Sequence, residues 1–206
     1  MKTSILCVVL FIASAQGSRK HVREFEIPHS QSKDTSLELS MWKDLIHKKN
    51  LTKTESDLKD GFSWKDCGSP SAAVNIQSLS LGPAQLKFPG PINVASVFTV
   101  KKLLSAPLMG QVYVYKWILL FYIHVRTYHF DDLCSILARY KNNCPEQLKK
   151  IGIDCSCPIA ANTYNLKETQ LTAPAVAIPS GNYQIKAEVS MRGTQAACME
   201  LYFTVA

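Results

Sequence analysis

Alternation of apolar and polar positions dominates the second half of the chain. Residues 183–191 read YQIKAEVSM, with Tyr183, Ile185, Ala187, Val189 and Met191 on one side and Gln184, Lys186, Glu188 and Ser190 on the other. A period of two with one wet face predicts a half-buried β-strand. Residues 199–205 (MELYFTV) alternate in the same way. Residues 92–100 alternate less cleanly, with Ile92, Val94, Phe98 and Val100 in phase. Residues 112–125 (VYVYKWILLFYIHV) are dense in β-branched and aromatic side chains, so they divide into two strands, or into one strand and an exposed apolar tip. Turn-forming residues punctuate these segments at Pro89-Gly90-Pro91, Ser105-Ala106-Pro107 and Ser180-Gly181-Asn182. Short strands spaced in this manner predict an all-β, two-sheet sandwich from Phe62 onward.

One helix interrupts the strands. Leu133, Ile136, Leu137 and Tyr140 give the i, i+3, i+4, i+7 stripe. Asp131 and Asp132 stand at its start and Arg139 and Lys141 at its end, which complements the helix dipole. Cys134 lies inside this helix, beside the stripe, placed to staple the helix onto the sheets.

The N-terminal sixty residues follow different rules. Lys2, the apolar run Ile5 to Ile12 and Ala13-Ser14-Ala15 have the form of a secretory signal, so residues 1–15 are expected to be removed. Residues 16–60 mix charges of both signs and contain no Cys. Within them Leu37, Met41, Leu45 and Trp42 fall at helical spacing behind a Thr35/Glu38 capping box. They read as an N-terminal extension, partly helical between irregular arms; a propeptide or a membrane-surface helix is the functional alternative. Asn50-Leu51-Thr52 is a sequon, which makes Asn50 a candidate glycan site.

A secretory address changes the meaning of the cysteines. Of seven, Cys7 leaves with the signal, and Cys67, Cys134, Cys144, Cys155, Cys157 and Cys198 remain. An even set in an oxidising compartment reads as three disulfides, with 15 connectivities open to six cysteines. Cys155-x-Cys157 has neither zinc-knuckle nor redox C-x-x-C spacing. The net charge is +7, and residues 61–206 hold thirteen Lys/Arg against eight Asp/Glu. That surface suits an anionic membrane or an acidic partner, or is simply the surface of a basic soluble domain. No dense Lys/Arg run is interleaved with aromatics, which argues against nucleic acid.

No motif for a nucleophile elbow, zinc protease, phosphate loop or EF-hand occurs in the chain. His124 and His129 beside Asp131 and Asp132 are the one tempting cluster, but no nucleophile accompanies them, and edge or loop histidines are the simpler reading. The chain is therefore expected not to be an enzyme and to need no cofactor. Its most unusual feature is Trp117-Ile118-Leu119-Leu120-Phe121-Tyr122-Ile123. This run is too continuous for a strand with one wet face: it is a core strand buried on both sides, or it covers something greasy.

The cysteines come embedded in longer motifs. These are Phe62-Ser63-Trp64-Lys65-Asp66-Cys67, Phe130-Asp131-Asp132-Leu133-Cys134, Cys144-Pro145-Glu146, Gly152-Ile153-Asp154-Cys155-Ser156-Cys157-Pro158, and Ser180-Gly181-Asn182-Tyr183 followed by Cys198. In this order they resemble the ML lipid-recognition family, on its ganglioside-activator branch, across residues 62–206. The resemblance implies the pairings Cys67 with Cys198, Cys134 with Cys157, and Cys144 with Cys155. It implies an immunoglobulin-like sandwich opened into a β-cup. Ile92, Val94, Phe98, Val112, Val114, Ile185, Val189 and Met191 would line that cup, with Trp117, Leu119, Phe121 and Ile123 at its rim. The implied partners are a glycosphingolipid or other membrane lipid, an anionic membrane met transiently, and a lysosomal hydrolase such as β-hexosaminidase A. The implied location is the lysosome or the extracellular space.

Two departures from that branch stand out. A further cysteine pair expected between Val112 and Cys134 is missing, and a Trp-containing segment between Ile178 and Gly181 is reduced to Pro179-Ser180. Both fall where the cup's rim is expected, so they bear on hydrolase activation more than on lipid binding. A secreted protein-binding module with a filled interior is the competing function, and the interior of the sandwich discriminates between the two.

Overall fold

The structure is a computed structural model that describes residues 61–173, 175 and 178–206. The expected signal segment, the 16–60 extension with its helical stripe, and Asn50 lie outside the described residues.

The YQIKAEVSM segment forms β8 (Gly181–Met191), and Tyr183, Ile185 and Ala187 are buried as its alternation requires. On one side β8 pairs antiparallel with β9 (Thr194–Val205), on the other with β5 (Leu108–Ile118). β1 (Phe62–Asp66) flanks β9, and β6 (Phe121–Phe130) flanks β5, giving the order β1-β9-β8-β5-β6. The two-residue β3 (Gln85–Leu86) runs parallel to the end of β9. The second sheet has three antiparallel strands in the order β2 (Val74–Gly82), β4 (Gly90–Val100) and β7 (Asn162–Ala173).

The 92–100 segment is the regular strand of the smaller sheet; its neighbours carry the irregularities. The β2–β4 register shifts between Ile76 and Ser78, and the β4–β7 register shifts where Thr169 and Leu166 follow each other against Val94 and Ser96. Each shift inserts one residue and reverses the inward phase of the bulged strand. In β2 the half-buried apolar positions move from Val74 and Ile76 to Leu79 and Leu81. In β7 the shielded positions move from Tyr164 and Leu166 to Leu171 and Ala173. Neither strand shows a clean period of two in sequence for this reason.

Two apolar clusters lie between the sheets. One gathers Ile92, Val94, Val112, Ile185, Leu201 and Phe203 near the middle. The other gathers Val100, Leu108, Leu137, Leu148 and Tyr164 beneath the helices at one end. The expected helix is α1 (Leu133–Ala138), with Leu137 and Cys134 buried. Asp132 is its N-cap: Oδ1 accepts from the amides of Cys134 (3.1 Å) and Leu108 (3.0 Å), and Oδ2 accepts from the Ser135 amide (3.2 Å) and hydroxyl (2.6 Å). The carboxyl thus ties the helix to the first residue of β5.

The expectation of one helix is corrected by α2 (Glu146–Lys150), which follows a 3-10 turn at Lys141–Asn143. It is too short for an amphipathic stripe and buries only Leu148. The disulfides are Cys67–Cys198, Cys134–Cys157 and Cys144–Cys155, the pairing that the resemblance implies. Cys134 is bonded to the loop before β7, so it staples α1 to that loop and not to a sheet.

Candidate functional site

Burial along the β5–β6 hairpin changes steeply from one end to the other. The register runs from Gly110 opposite Phe130 to Ile118 opposite Phe121. Side chains alternate faces along a strand, so Val112, Val114, Lys116 and Ile118 share the inner face with Tyr128, Ile123 and Phe121. Near the helices this face is covered, with Val112 5% and Phe130 6% exposed. At the far end Ile118 is 41%, Phe121 36%, Ile123 38% and Val125 49% exposed. The physical reason is a mismatch of widths: three strands face a sheet of six, and β6 is the outermost strand of the wider sheet.

The turn joining these strands is Leu119-Leu120, 85% and 77% exposed. Leu119 has φ +58°, and the Leu120 amide donates to the Ile118 carbonyl at 2.8 Å, a γ-turn arrangement. Such turns are rare and strained, and Gly or Asn normally occupies the left-handed position of a short hairpin loop. Two leucines here break the local rule twice, through backbone strain and through apolar exposure. Departures of this kind concentrate at functional sites.

The sequence leaves residues 112–125 open between two strands and one strand with an exposed tip. The structure has both features: two strands, and a bare apolar tip between them. The core-strand reading of Trp117–Ile123 is corrected accordingly. Trp117 also differs from expectation, because it lies on the outer face, opposite in phase to Val112 and Val114. Its ring meets Tyr122 edge-on at 5.0 Å, and Tyr122 meets Tyr202 at 5.9 Å. Burial raises the Tyr122 phenol above its ordinary pKa.

The remaining expected lining residues fall into two groups. Ile92, Val94, Val112 and Ile185 are buried between the sheets, and Val114 packs against the same cluster. Phe98, Val189 and Met191 instead pack at the stapled end, away from the open one. Phe98 stacks on Tyr164 at 5.3 Å, and the Met191 sulfur accepts from the Ser105 amide at 3.4 Å. Leu119, Phe121 and Ile123 occupy the tip, joined by Ile118 and Leu120 of the same apolar run and by Val125, none of which is among the expected lining residues. Parity counted from Val112 along β5 points to Ile118. Val125 is the extra residue of a bulge opposite Val114 and Tyr115, so no alternation rule reaches it.

The histidine cluster does not assemble into a triad. His124 Nε2 lies 2.7 Å from the Thr127 hydroxyl, with its ring edge-on to Tyr115 at 5.3 Å. Asp132 is committed to capping α1. Among the described residues no group of three His, Cys, Asp or Glu side chains is placed to hold a metal ion.

The arrangement is a β-sandwich stapled by three disulfides toward one end and open to solvent along an apolar inner face at the other. Comparison with known proteins supplies its family. The ML domain family profile matches residues 61–205, and the chain belongs to that family. Ganglioside GM2 activator of Macaca fascicularis is 30% identical over 153 residues, covering 68% of this chain and 80% of that protein. Ganglioside GM2 activator of Mus musculus is 27% identical over 154 residues, with 68% and 80% covered. A phosphatidylglycerol/phosphatidylinositol transfer protein of Mycosarcoma maydis is 27% identical over 143 residues, covering 68% of this chain and 64% of that protein.

Proposed function

We propose that this protein binds a membrane lipid at the open end of its sandwich and carries it between a membrane and a soluble partner, with no covalent chemistry of its own. The observation that carries the reading is the bare Leu119-Leu120 tip next to an apolar inner face that the smaller sheet leaves uncovered. A tip of that kind loses free energy in water and gains it in an acyl layer, at about 25 cal/mol per Å² of apolar surface removed from water. The same gain would draw acyl chains onto the inner face. Kinship with ganglioside activators and with a phospholipid transfer protein supports lipid as the ligand class.

In its specific form, the lipid is a glycosphingolipid and the partner is a hydrolase such as β-hexosaminidase A. The names of the two activator relatives support this form, as do the C-x-C-P and G-N-Y motifs of residues 155–158 and 181–183. The site of action would be the lysosome or the extracellular space. The signal-like residues 1–15 and the three disulfides support such a route.

Native mass spectrometry of the secreted protein, with lipid extraction from the same sample, tests the first step. A co-purifying lipid of defined class supports the proposal. Glycolipid extraction from anionic vesicles at acidic pH, with and without β-hexosaminidase A, then tests the specific form. A lipid-free protein that also refuses offered glycolipids would overturn the lipid reading in favour of a protein-binding module.

A further inference from the structure

The chain enters its domain at the open end. Gly61 is buried at the head of β1: its carbonyl accepts from the Thr204 amide at 3.2 Å, and a Cβ on it would overlap the Ala84 carbonyl. One row of paired residues then crosses the wider sheet, from Phe62 through Phe203, Tyr183 and Lys116 to Ile123. Gly61 therefore lies at the level of the β5–β6 tip, on the opposite edge of the same sheet. Four strand spacings separate the two edges, roughly 19 Å.

The smaller sheet covers one side of that width. β2 packs over β1 and β9, and at the open end Ile118 and Ile123 of the inner face are left exposed. In its main path the wider sheet exceeds the smaller by two strands. Two spacings are about 10 Å, close to the diameter of an α-helix.

The chain contains a segment suited to that strip. In residues 34–46, Leu37, Met41 and Leu45 repeat at helical spacing with Trp42 beside them, behind the Thr35/Glu38 capping box. Residues 47–60 join this segment to Gly61 and can reach at most about 45 Å, more than twice the distance to β6. Charge also matches. Asp34, Glu38 and Asp44 outnumber Lys43 in the segment, while Lys48 and Lys49 fall on the tether. Residues 61–206 hold thirteen Lys/Arg against eight Asp/Glu, and Lys116 is the cation of the row at the open end.

We propose that residues 34–46 cover the inner face of β5–β6 at the open end and compete there with lipid, leaving Leu119-Leu120 to meet the membrane. The inference rests on the lipid-binding reading above, whose site it closes. A segment tethered at Gly61 meets this face at an effective concentration on the order of millimolar, so it needs only modest affinity to hold the site shut.

The test uses the full chain as secreted, after its mass has shown whether residues 34–46 are retained, and the variant L37S/M41S/L45S, whose changes lie outside the domain. Hydrogen exchange of residues 118–125 reads the cover with no lipid present. Transfer of phosphatidylcholine with a pyrene-labelled acyl chain from neutral vesicles reads access to the site. In the variant, exchange should be faster and the apparent lipid affinity about tenfold higher, the effect of freeing a site that was closed nine-tenths of the time. A synthetic peptide of residues 34–46 added to the variant should reverse both changes, and a scrambled peptide neither.

Equal exchange and equal uptake in the two proteins overturn the cover. Faster exchange in the variant, with no lipid taken up by either protein, upholds the cover and overturns the lipid reading. Vesicle binding and uptake that both fall in the variant make the segment a membrane-surface helix and overturn the inference. Protection of residues 118–125 that rises with protein concentration gives the face to a second copy of the chain instead. A secreted mass that lacks residues 34–46 overturns the cover as a device of the mature protein.

Discussion

Ile118 and Phe121 are cross-strand partners on the inner face of the β5–β6 hairpin, yet 41% and 36% of their surfaces face solvent. A cross-strand apolar pair normally marks the covered side of a sheet. Here it marks the point where cover ends, and the two residues between the partners are leucines. The tip is costly to the free protein, which yields the first prediction. Replacing Leu119-Leu120 by Asn-Gly should leave stability unchanged or raise it by about 1 kcal/mol, because left-handed strain is relieved. The same variant should lose most of its association with vesicles, since each buried leucine contributes roughly 1.5–3 kcal/mol. Urea unfolding and vesicle co-sedimentation read the two effects separately. Undiminished vesicle binding would remove the tip from the proposed mechanism.

The three disulfides should differ in what they contribute. In the chain-entropy view a crosslink stabilises by restricting the unfolded chain, and more so for longer loops. Cys67–Cys198 spans 131 residues of sequence, Cys134–Cys157 spans 23 and Cys144–Cys155 spans 11. Paired serine substitution of the first should cost about 4–5 kcal/mol, and of each of the others about 3 kcal/mol. The first also joins the two ends of the domain, so its loss should loosen β1 from β9 before anything else. Denaturant midpoints of the three double-serine proteins check the order. A Cys144/Cys155 variant less stable than the Cys67/Cys198 variant would reverse it.

Residues whose environment follows one simple period are legible in the amino-acid sequence itself. β8 alternates across its central residues, β9 alternates from Met199 to Val205 beyond a phase reversal at Cys198–Met199, and α1 repeats at helical spacing, so these buried faces can be read directly. β2 and β7 resist such reading, because a single inserted residue reverses their phase midway. At the candidate site, composition marks the segment 112–125 but not which side chains share a face. That depends on the two-residue loop at Leu119-Leu120 and the bulge at Val125. Trp117 shows the limit well: its neighbours in sequence belong to the tip, but its parity puts it on the outer face. In the sequence Lys116 is an ordinary charge, and only the register places it opposite Tyr183.

Asp132 gives a pH-dependent contribution with a defined sign. Burial pushes its carboxyl up, but the Ser135 hydroxyl and the amides of Leu108, Cys134 and Ser135 outweigh this and hold it below the ordinary aspartate value. A carboxyl whose folded pKa is lowered stabilises fully above its unfolded value of about 4. That stability is lost as pH falls through the lowered folded value. At a lysosome-like pH near 5 the N-cap should therefore still be charged and intact. D132A should cost about 1–2 kcal/mol at neutral pH, at the upper end for a cap because the β5 amide of Leu108 loses its partner too. Below about pH 4 the gap between wild type and variant should shrink. Acid titration of both proteins by circular dichroism checks this. A gap that stays constant down to strongly acid pH would mean that Asp132 acts without its charge.

Tyr202 predicts the opposite behaviour at the alkaline end. Burial, and then its hydrogen bond to Glu200 and that residue's charge, lift the phenol well above the ordinary tyrosine value. The hydroxyl accepts from Gln184 Nε2 at 3.0 Å and donates to Glu200 Oε2 at 3.0 Å, bridging β8 and β9 on the outer face. A phenol whose folded pKa is raised contributes its stability in full below the unfolded value of about 10. Above that pH the unfolded chain releases the proton first, and the contribution fades as pH rises toward the folded value. Y202F removes the bridge and should cost about 1 kcal/mol at neutral pH. As pH climbs past about 10 the wild type should lose stability faster than Y202F, so that the two converge. The raised phenol of Tyr113 is present in both proteins and drops out of the difference, whereas Tyr122 meets the Tyr202 ring and its charge adds to the same rise. Urea midpoints measured from neutral to strongly alkaline pH decide the matter. Parallel curves would show that the Tyr202 proton is held no more tightly in the folded protein than in the unfolded chain.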